Sequence, residues 1–392
     1  MKVVLIGNYE PDRQESMQRF ADLLFDQLRA LGVSVELVKP PVFFGRFQSG
    51  SALLNKWLGY LDKYGLFPAQ LRRFQPGHGS YERGVIVHIC DHSNAPYIRG
   101  IRGARTVVTC HDLLAVRSAA GEFPENPTGL FGRKLQRIIV DGLSSSPHVA
   151  CVSEATRVDL LRLSGLTEQQ VTVVPNGLNY PYRPMPTGEA TACVRSLLAN
   201  AGRRTSAASD DNPRSYILHV GGNQWYKNRT GVLHIYRRLL ELMPDAPDLV
   251  MVGKPLFEPQ RTWIEVNGLK NRVISIEGAG NEQLRALYSQ AALLLFPSLA
   301  EGFGWPILEA QACGCTVVTA NRQPMPEVGG SGAHYCNPRN FIESAALLQR
   351  VLQAGRRART ETMETDRANV ARFSTDAMIR GYLKLYERLL SN

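Results

Sequence analysis

The segment "LAEGFGWPILEAQACGC" places two carboxylates, Glu301 and Glu309, eight positions apart around a glycine-rich turn. Gly302 and Gly304 allow the backbone to turn tightly and to approach a ligand closely. Pro306 suits the first turn of a helix, because the N–H that proline lacks would be unbonded there anyway. Backbone amides at such a turn, together with the positive end of the helix dipole, form an anion site. The spacing therefore indicates a ligand with a phosphate between two hydroxyl-rich groups, which describes a nucleotide sugar.

We expect Glu309, near the end of the first helical turn, to accept hydrogen bonds from the two hydroxyls of a ribose, an arrangement familiar from nucleotide-binding sheets. Glu301, which precedes the glycines, would reach the other end of the same ligand. The alternative is a strand–turn–helix junction with two solvated glutamates. The apolar run "ALLLFPS" before the turn and the proline after it favour the ligand site.

Alternating apolar and amphipathic segments predict the elements that position these residues, namely two consecutive α/β halves. "KVVLIG" is typical of a strand and "QESMQRFADLLFDQLRALG" of the following helix, which ends at Gly32. The alternation restarts with "YILHVGG" after an exit segment rich in proline and glycine at 175–188. The polar stretch 201–215 predicts a mobile loop. The last segment, "FSTDAMIRGYLKLYERLL", predicts an amphipathic helix long enough to cross between domains.

Composition limits the classes of protein that fit. The chain has 392 residues, of which 44% are hydrophobic, and this length predicts two globular domains. Nothing resembles a signal peptide, and no run of about 18 apolar residues is long enough to span a bilayer. The seven cysteines contain no CxxC pair, which favours reduced thiols in a cytosolic protein. The net charge of +10 is spread evenly along the chain, and the sequence contains no nucleic-acid-binding motif. We therefore expect an anionic substrate or an anionic membrane surface as the partner.

The segment "EGFGWPILEAQACGCTVV" closely resembles the signature of the family 4 retaining glycosyltransferases, with Trp305 where leucine is usual and Cys315 where proline or valine is usual. The resemblance covers the whole chain, because "VVTCHD", "CVSEAT", "VVPNGLN", "HVGGNQWYKN" and "NEQLRALYSQAALLLFPS" occur in the family's order and spacing. It implies the α/β fold GT-B, in which two Rossmann-like domains with doubly wound parallel sheets face a deep inter-domain cleft. We expect an acceptor-side domain at 1–184, a nucleotide-sugar-binding domain at 185–374, and a C-terminal helix at 375–392 that crosses back toward the first domain.

The resemblance also implies roles for single residues of the second domain. Glu309 would bind the nucleotide ribose, and Glu301 would approach the hydroxyls of the donor sugar. Lys227 matches the lysine that neutralises the diphosphate, the alternative being a solvated loop lysine. Tyr226 stands where the family commonly has an arginine, and whether Arg229 compensates is open. The other donor-binding positions that the resemblance implies are Gly222, Phe303, Gly304 and Trp305.

In the first domain, the resemblance implies that Gly7 and Asn8 form the loop that faces the donor phosphates. His111 matches a histidine that contacts the donor sugar, so His111 and Glu301 are the expected catalytic residues. Asp112 would order the loop or act as a base on the acceptor side, and a plain His–Asp hydrogen bond is the alternative.

The run "HICDH" raises the question of a metal site. Strand alternation would place His88, Cys90 and His92 on the face opposite Asp91, which argues against metal binding. We instead expect His92 to be a cleft residue on the acceptor side. No metal ligand is therefore predicted anywhere in the chain.

Residues 40–74 correspond to the family's variable, acceptor-facing region. Aromatic side chains are interleaved there with arginine and lysine, and Leu54, Leu58 and Leu61 make an apolar helical face. A basic amphipathic stretch can lie on an anionic bilayer, where lipid-linked sugar acceptors reside. The alternative is a helix packed on its own domain.

The predicted function is retaining transfer of a hexose, with a slight lean to mannose, from a nucleotide diphosphate sugar to a glycan or lipid-linked saccharide. No cofactor or metal is expected beyond the GDP- or UDP-sugar, because the departing phosphate accepts the proton and catalysis is mostly positioning and charge stabilisation. The expected location is the cytoplasm, with peripheral attachment to the inner face of the plasma membrane as an option. A GT-B nucleotide-sugar 2-epimerase and a catalytically silent nucleotide-sugar-binding subunit are the alternatives.

Overall fold

The chain divides into two compact units. The structure is a computed structural model that describes residues 1–47, 51–74, 84–101, 104–202 and 216–391. Unit 1 comprises Met1–Asn179 and Thr375–Asn392, and unit 2 comprises Tyr180–Ser374. The first division thus falls after Asn179, where the sequence analysis placed it after residue 184. The predicted mobile loop at 201–215 lies, from residue 203 onward, outside the described residues.

Unit 1 is built on a parallel sheet. Its described strands are β1 (Lys2–Ile6), β2 (Ser34–Val38), β3 (Val85–Ile89), β4 (Arg105–Cys110), β5 (His148–Cys151) and β6 (Val171–Val173). They pair in the order β2-β1-β3-β4-β5-β6. The winding reverses between β1 and β3, since β2 lies on one side of β1 and β3 on the other. Open α/β sheets bind ligands at the carboxyl ends of the strands that flank such a reversal.

Amphipathic helices cover this sheet. The helices before unit 2 are α1 (Glu15–Ala30), α2 (Ala52–Tyr60), α3 (Phe67–Leu71), α4 (Leu114–Ala119), α5 (Leu130–Ser144) and α6 (Glu154–Ser164). A π-helix at Leu61–Leu66 joins α2 to α3, and a 3₁₀ helix at His92–Gly100 follows β3. The predicted first helix is confirmed as α1, and Gly32 after it adopts the left-handed conformation with φ of 75°.

Unit 2 repeats the architecture with a different strand order. Its described strands are β7 (Tyr216–Val220), β8 (Asp248–Gly253), β9 (Val273–Glu277), β10 (Leu293–Phe296), β11 (Val317–Ala320) and β12 (His334–Cys336). All pair in parallel in the order β12-β11-β10-β7-β8-β9. The winding reverses between β7 and β10, so the carboxyl ends of these two strands flank the expected ligand position.

The helices of unit 2 lie on both faces of its sheet, as parallel crossovers require. They are α7 (Thr187–Asn200), α8 (Arg229–Leu242), α9 (Glu258–Val266), α10 (Asn281–Gln290), α11 (Trp305–Ala312), α12 (Met325–Gly329), α13 (Phe341–Ala354) and α14 (Arg356–Arg372). Within the part of the chain that the structure describes, no helix combines the length and the hydropathy needed to cross a bilayer.

The last helix, α15 (Thr375–Ser391), belongs to unit 1, where it packs with α1 on the sheet. His88 in β3 links it to the strands, because its Nδ1 lies 2.6 Å from the Tyr386 hydroxyl and its Nε2 2.7 Å from Thr109 Oγ1. The Tyr382 hydroxyl lies 2.9 Å from the same Thr109 oxygen. Burial lowers the pKa of His88 to about 3, so the neutral imidazole donates one of its two hydrogen bonds and accepts the other.

Candidate functional site

Lys227 and Glu301 meet at the winding reversal of unit 2. Lys227 ends the 3₁₀ turn that follows β7, and Glu301 follows β10, the strand paired with β7. The Lys227 ammonium Nζ lies 2.8 Å from Glu301 Oε1 and 3.0 Å from Oε2. The two side chains are 16% and 7% exposed, and Nζ also lies 5.0 Å from the centre of the Phe296 ring. The structure therefore joins two predicted site residues in a largely buried ion pair.

Hydrogen bonds to backbone carbonyls join the two loops that carry this pair. The Tyr226 carbonyl accepts the Leu299 N–H at 2.8 Å, and Asn228 Nδ2 donates to the Pro297 carbonyl at 2.9 Å. Asn228 adopts the left-handed conformation with φ of 54°, which asparagine tolerates better than most residues. The loops after β7 and β10 are thus tied together on either side of the ion pair.

The turn before α11 has the predicted geometry. Gly304 has φ of 104°, and a Cβ atom there would lie 3.3 Å from Ile307 Cδ1. Helix α11 begins at Trp305 with Pro306 in its first turn, so its N-terminus lies at the carboxyl edge of the sheet. Phe303 is buried, with its ring centre 6.1 Å from that of Trp305. The strand before Glu301, the glycine turn after it and the start of α11 are therefore as predicted.

Glu309 in α11 is buried beside Tyr288 of α10. The Tyr288 hydroxyl donates to Glu309 Oε2 at 2.8 Å. Burial, reinforced by the nearby Glu309 charge, raises the pKa of Tyr288 well above its usual value, so the phenol keeps its proton. The sequence analysis missed Tyr288, since nothing in "RALYSQ" distinguishes it from an ordinary core tyrosine.

Arg229, the residue considered as a substitute for the missing arginine, is engaged elsewhere. It is buried at the start of α8, where Nη1 donates to the Lys254 carbonyl at 2.7 Å and to Asn223 Oδ1. Burial lowers the pKa of Arg229. Its Nη1 thus supports the loops after β7 and β8. Gly222 lies in the first of these loops, where any Cβ atom would collide with the Gln224 side chain.

A second polar cluster lies at the winding reversal of unit 1, beyond the ends of β1 and β3. Asn8 follows β1, and its Nδ2 donates to Asp91 Oδ2 at 2.5 Å. The Ser93 amide and hydroxyl donate to Asp91 at 3.0 and 2.7 Å. Gly7 precedes Asn8, and its N–H donates to the Val38 carbonyl at 2.9 Å. The sequence analysis did not select Asp91 as a site residue.

The alternation argument that separated His92 from Asp91 is wrong. Strand β3 ends at Ile89, and His92 begins the 3₁₀ helix after it, so the two-residue period no longer applies. His92 Nδ1 lies 3.2 Å from Asp91 Oδ1. Among the described residues, no group of three His, Cys, Asp or Glu side chains is arranged to hold a metal ion.

His111 and Asp112 follow β4 at the same edge of unit 1. His111 is buried, its Nε2 lies 2.9 Å from the Cys90 carbonyl, and its ring packs edge-on against Phe20 with centres 4.8 Å apart. Burial lowers the pKa of His111, although the Asp91 charge opposes this. Asp112 Oδ1 accepts the Leu114 N–H at 3.0 Å and so orders the entry to α4.

The surface formed by residues 43–47, 54–66 and 130–131 is apolar and basic. Of the predicted leucine face, Leu54 and Leu61 are 49% and 51% exposed, whereas Leu58 is partly buried. The Trp57 ring centre lies 5.7 Å from that of Phe131, and both side chains are about half exposed. Buried Asp62 anchors the start of this surface by accepting the backbone N–H groups of 43–45 at 2.8 to 3.1 Å.

Comparison with known proteins gives matches to both units. Residues 17–180 match the model described as Glycosyltransferase Family 4, and residues 204–365 match the one described as Glycosyl transferases group 1. O-antigen chain mannosyltransferase B of Escherichia coli is 27% identical over 253 residues, which are 64% of this chain and 61% of that protein. MMP alpha-(1->4)-mannosyltransferase of Mycolicibacterium hassiacum is 27% identical over 62% of this chain and 55% of its own length. The matched part thus spans less than two thirds of these relatives.

Solved structures match over nearly the entire chain. HepE of Anabaena, in complex with UDP and glucose, superimposes with a TM-score of 0.70 at 17% identity and covers 99% of both chains. WaaG, a glycosyltransferase involved in lipopolysaccharide biosynthesis, gives a TM-score of 0.69 at 15% identity and covers 98% of this chain and 99% of its own. Together with the two six-stranded parallel sheets in the described residues, these matches confirm the predicted GT-B fold.

Proposed function

Because the chain belongs to the family 4 glycosyltransferases, we propose that it transfers a hexose, with mannose first among the candidates, from a nucleotide diphosphate sugar to a saccharide acceptor. Two mannosyltransferases among the relatives support the sugar, and a neighbour solved with UDP and glucose supports a nucleotide-sugar donor. The observation that carries the proposal is the Lys227–Glu301 pair at the winding reversal of unit 2, with Glu301 before the turn that leads into α11 and Glu309 within that helix.

In this proposal the donor lies across the carboxyl edge of unit 2. Lys227 and the N-terminus of α11 neutralise the diphosphate, which is the charge that grows as the bond to the sugar breaks. Glu309, fixed by the Tyr288 hydroxyl, accepts hydrogen bonds from the ribose. Glu301 accepts hydrogen bonds from the sugar hydroxyls, and Lys227 holds its carboxylate in place for that contact.

The proposed step proceeds with retention. The acceptor oxygen attacks the anomeric carbon from the face that the diphosphate leaves, the carbon–oxygen bond to phosphate breaks, and the departing phosphate takes the hydroxyl proton. His111 contacts the donor sugar in this scheme. Because Lys227 and the α11 N-terminus supply the positive charge, we propose that no metal ion is needed.

The proposed acceptor is a glycan or a lipid-linked saccharide, taken up by unit 1. The apolar and basic surface of 43–47, 54–66 and 130–131 supports a lipid-linked acceptor, because exposed apolar patches rimmed by cations are typical of contacts with anionic membranes. We therefore propose peripheral attachment at the cytoplasmic face of a membrane. Pelleting with liposomes tests this idea, and binding that is no stronger with anionic than with neutral lipid would remove it.

The test of the donor site measures release of nucleoside diphosphate from a panel of UDP-, GDP- and ADP-sugars without acceptor, in buffer containing EDTA. Slow hydrolysis of one donor that is lost in Glu309→Gln, and unaffected by EDTA, would identify the donor and support metal-free transfer. Glu258→Gln is the matched control, because this glutamate of α9 is 77% exposed and pairs with Arg261 on its own helix.

The other outcomes separate the alternatives. Conversion of one donor to its 2-epimer without release of nucleoside diphosphate would indicate the epimerase. Thermal stabilisation by a donor without any turnover, even with candidate acceptors, would indicate a silent binding subunit, for which Tyr226 in the usual arginine position is the supporting feature.

A further inference from the structure

Asp91 has no role in the mechanism above, yet its carboxylate is built into the carboxyl edge of unit 1. Its side chain is 3% exposed, and three uncharged donors from Asn8 and Ser93 bind its two oxygens. A carboxylate at this depth is costly to keep ionised without a nearby positive or polarisable partner. Burial would raise the pKa of Asp91, but His92, His111 and the hydrogen bonds outweigh it and lower the pKa, so the group is an anion at neutral pH.

His92 carries the imidazole that can stabilise the Asp91 carboxylate. His111 is nine-tenths buried, burial lowers its pKa, and its Nε2 is occupied by the Cys90 carbonyl. His92 Nδ1, by contrast, lies 3.2 Å from Asp91 Oδ1 and has no other partner in the described part of the chain. The Nδ1–H does not point along the line to the oxygen here. Catalytic hydrogen bonds are often misaligned before substrate binds and tighten afterwards.

The two side chains differ in exposure, and His92 is the one nearer the surface. His92 is 13% exposed where Asp91 is 3% exposed, so the imidazole connects a buried carboxylate to the surface at the end of β3. This edge is the ligand-binding edge of an open parallel sheet, and β1 and β3 flank its winding reversal. Asn8 Oδ1 and His111 Nδ1 at the same edge are buried atoms that have no hydrogen-bond partner among the described residues. Unsatisfied buried polar atoms are uncommon, and several together indicate a position where a polar ligand binds.

We propose that Asp91 holds His92 in the tautomer with its proton on Nδ1, so that Nε2 accepts a hydrogen bond from the hydroxyl of the saccharide acceptor next to the one that attacks the donor. A hydrogen bond at one ring nitrogen sets which nitrogen keeps the proton, and this is how carboxylates orient catalytic histidines. In this scheme His92 contacts the acceptor, and Asp91 is a positioning residue. The inference rests on the proposed function, because it requires transfer to an alcohol.

The pair orients the acceptor without a net change of its own charge. The attacking hydroxyl directs its proton to the departing phosphate oxygen and a lone pair to the anomeric carbon, while the neighbouring hydroxyl of the acceptor donates to His92 Nε2. As the bond from the acceptor oxygen to that carbon forms, the bond to the diphosphate breaks, and the proton passes to the departing phosphate oxygen. His92 neither gains nor loses a proton in the step, so atoms and charges balance with the two substrates alone.

The test compares transfer to a saccharide acceptor in Asp91→Asn, His92→Gln and the double variant. We expect Asp91→Asn to lower kcat at saturating acceptor about ten- to a hundred-fold, while the dissociation constant of the donor stays within about two-fold. Glutamine at 92 offers an amide oxygen that accepts the same hydrogen bond and does not depend on a tautomer. Asp91→Asn should therefore have little further effect on kcat in the His92→Gln background. Asp141→Asn, an exposed aspartate of α5, is the control.

Each outcome decides the proposal. Equal losses of kcat from Asp91→Asn in both backgrounds would overturn the proposal, because Asp91 would then act only on the fold. A wild-type kcat in Asp91→Asn would overturn it as well. Should Asp91→Asn fail to fold, His92→Leu takes its place and must lose at least ten-fold more kcat than His92→Gln. Failure of the proposed function is distinguished by a wild type that releases no nucleoside diphosphate from any donor. In that case ¹⁵N chemical shifts of His92 still report the tautomer, and a proton on Nε2 in the wild type would refute the pairing.

Discussion

Replacing Lys227 by methionine should weaken both the fold of unit 2 and its affinity for the donor. The change removes an ammonium that lies 2.8 and 3.0 Å from the Glu301 oxygens and leaves a carboxylate that is 7% exposed without its cation. Methionine keeps most of the length and apolar volume of the lysine stem, so the packing beside Phe296 is largely preserved. The losses of stability and of donor affinity then measure the effect of removing the charge.

The magnitude follows from the depth of the pair. Removing one partner of a fully buried pair costs about 3–5 kcal/mol, whereas a surface pair is worth about 0–1 kcal/mol. Lys227 keeps 16% of its side-chain exposure, so solvent screens part of the interaction, and we expect a loss of about 2–3 kcal/mol in the free energy of unfolding. The contact with phosphate adds a separate loss. A hydrogen bond to a charged group is worth about 1.5–3 kcal/mol, which corresponds to a ten- to hundred-fold weaker donor.

The assay is a double-mutant cycle in urea with Lys227→Met, Glu301→Gln and the double variant. Tryptophan fluorescence reports unit 2, since Trp225, Trp263 and Trp305 lie there and Trp57 lies in unit 1. Residues in direct contact show coupling of roughly 0.5–3 kcal/mol, and we expect about 1.5 kcal/mol here. Lys270→Met is the control, because this lysine is 78% exposed and lies 3.8 Å from its partner Glu265.

Two results would refute this reasoning. In the first, the losses in the free energy of unfolding of the two single variants sum to the loss of the double variant to within about 0.5 kcal/mol. That result would mean that the ion pair contributes no coupling to the fold. Calorimetric titration that finds the donor bound equally tightly by Lys227→Met and the wild type would remove Lys227 from the diphosphate site, whatever its effect on stability.

Three further changes have defined outcomes. Tyr288→Phe removes the hydroxyl that orients Glu309, so the donor dissociation constant measured by calorimetry should rise about five-fold, the value of one hydrogen bond near 1 kcal/mol. Tyr386→Phe leaves buried His88 Nδ1 without its partner, so the urea-unfolding free energy of unit 1 should fall by about 1–3 kcal/mol. Burial raises the pKa of Asp366 to about 7, well above its unfolded value near 3.9, so wild-type stability falls as pH rises from about 4 to 7. Asp366→Asn should therefore be more stable than the wild type at pH 8, by about 1–2 kcal/mol because solvent screens part of the effect, and the difference should vanish in melts below pH 4.

Local features of the fold were predictable because they depend on neighbouring residues. The turn at Gly304 and the start of α11 follow from a glycine, a proline and a preceding apolar run within a few positions. The buried parallel strands read as short β-branched runs because both of their faces are covered by helices. These patterns are enough to predict two Rossmann-like units.

The partners inside the site were not predictable in the same way. Lys227 and Glu301 are 74 positions apart, and Asn8 and Asp91 are 83 apart. Each pair meets only because β7 lies beside β10 and β1 beside β3, and strand order is a property of the whole sheet. The mistake at His92 has the opposite origin, since a strand period was extended three residues beyond Ile89, the last paired residue of β3.

Helix periodicity also left the surface of unit 1 undecided. Leu54 and Leu61 form an apolar face whether or not something covers it, and the spacing alone fits packing against the same unit equally well. The structure adds that Leu61 begins a π-helix and that the Trp57 ring packs edge-on against Tyr60, neither of which the sequence pattern contains.

The position of α15 in unit 1 has a consequence for synthesis on the ribosome. The hydrophobic core of unit 1 includes Ile379, Tyr382 and Tyr386, which are translated after all of unit 2. Unit 2 is contiguous in the chain and can fold as soon as it has left the exit tunnel, whereas the unit that is made first must wait for the last helix to complete its core. A stalled or truncated chain that lacks α15 would then carry a finished unit 2 beside an exposed sheet face in unit 1, which makes it a target for chaperones and proteases.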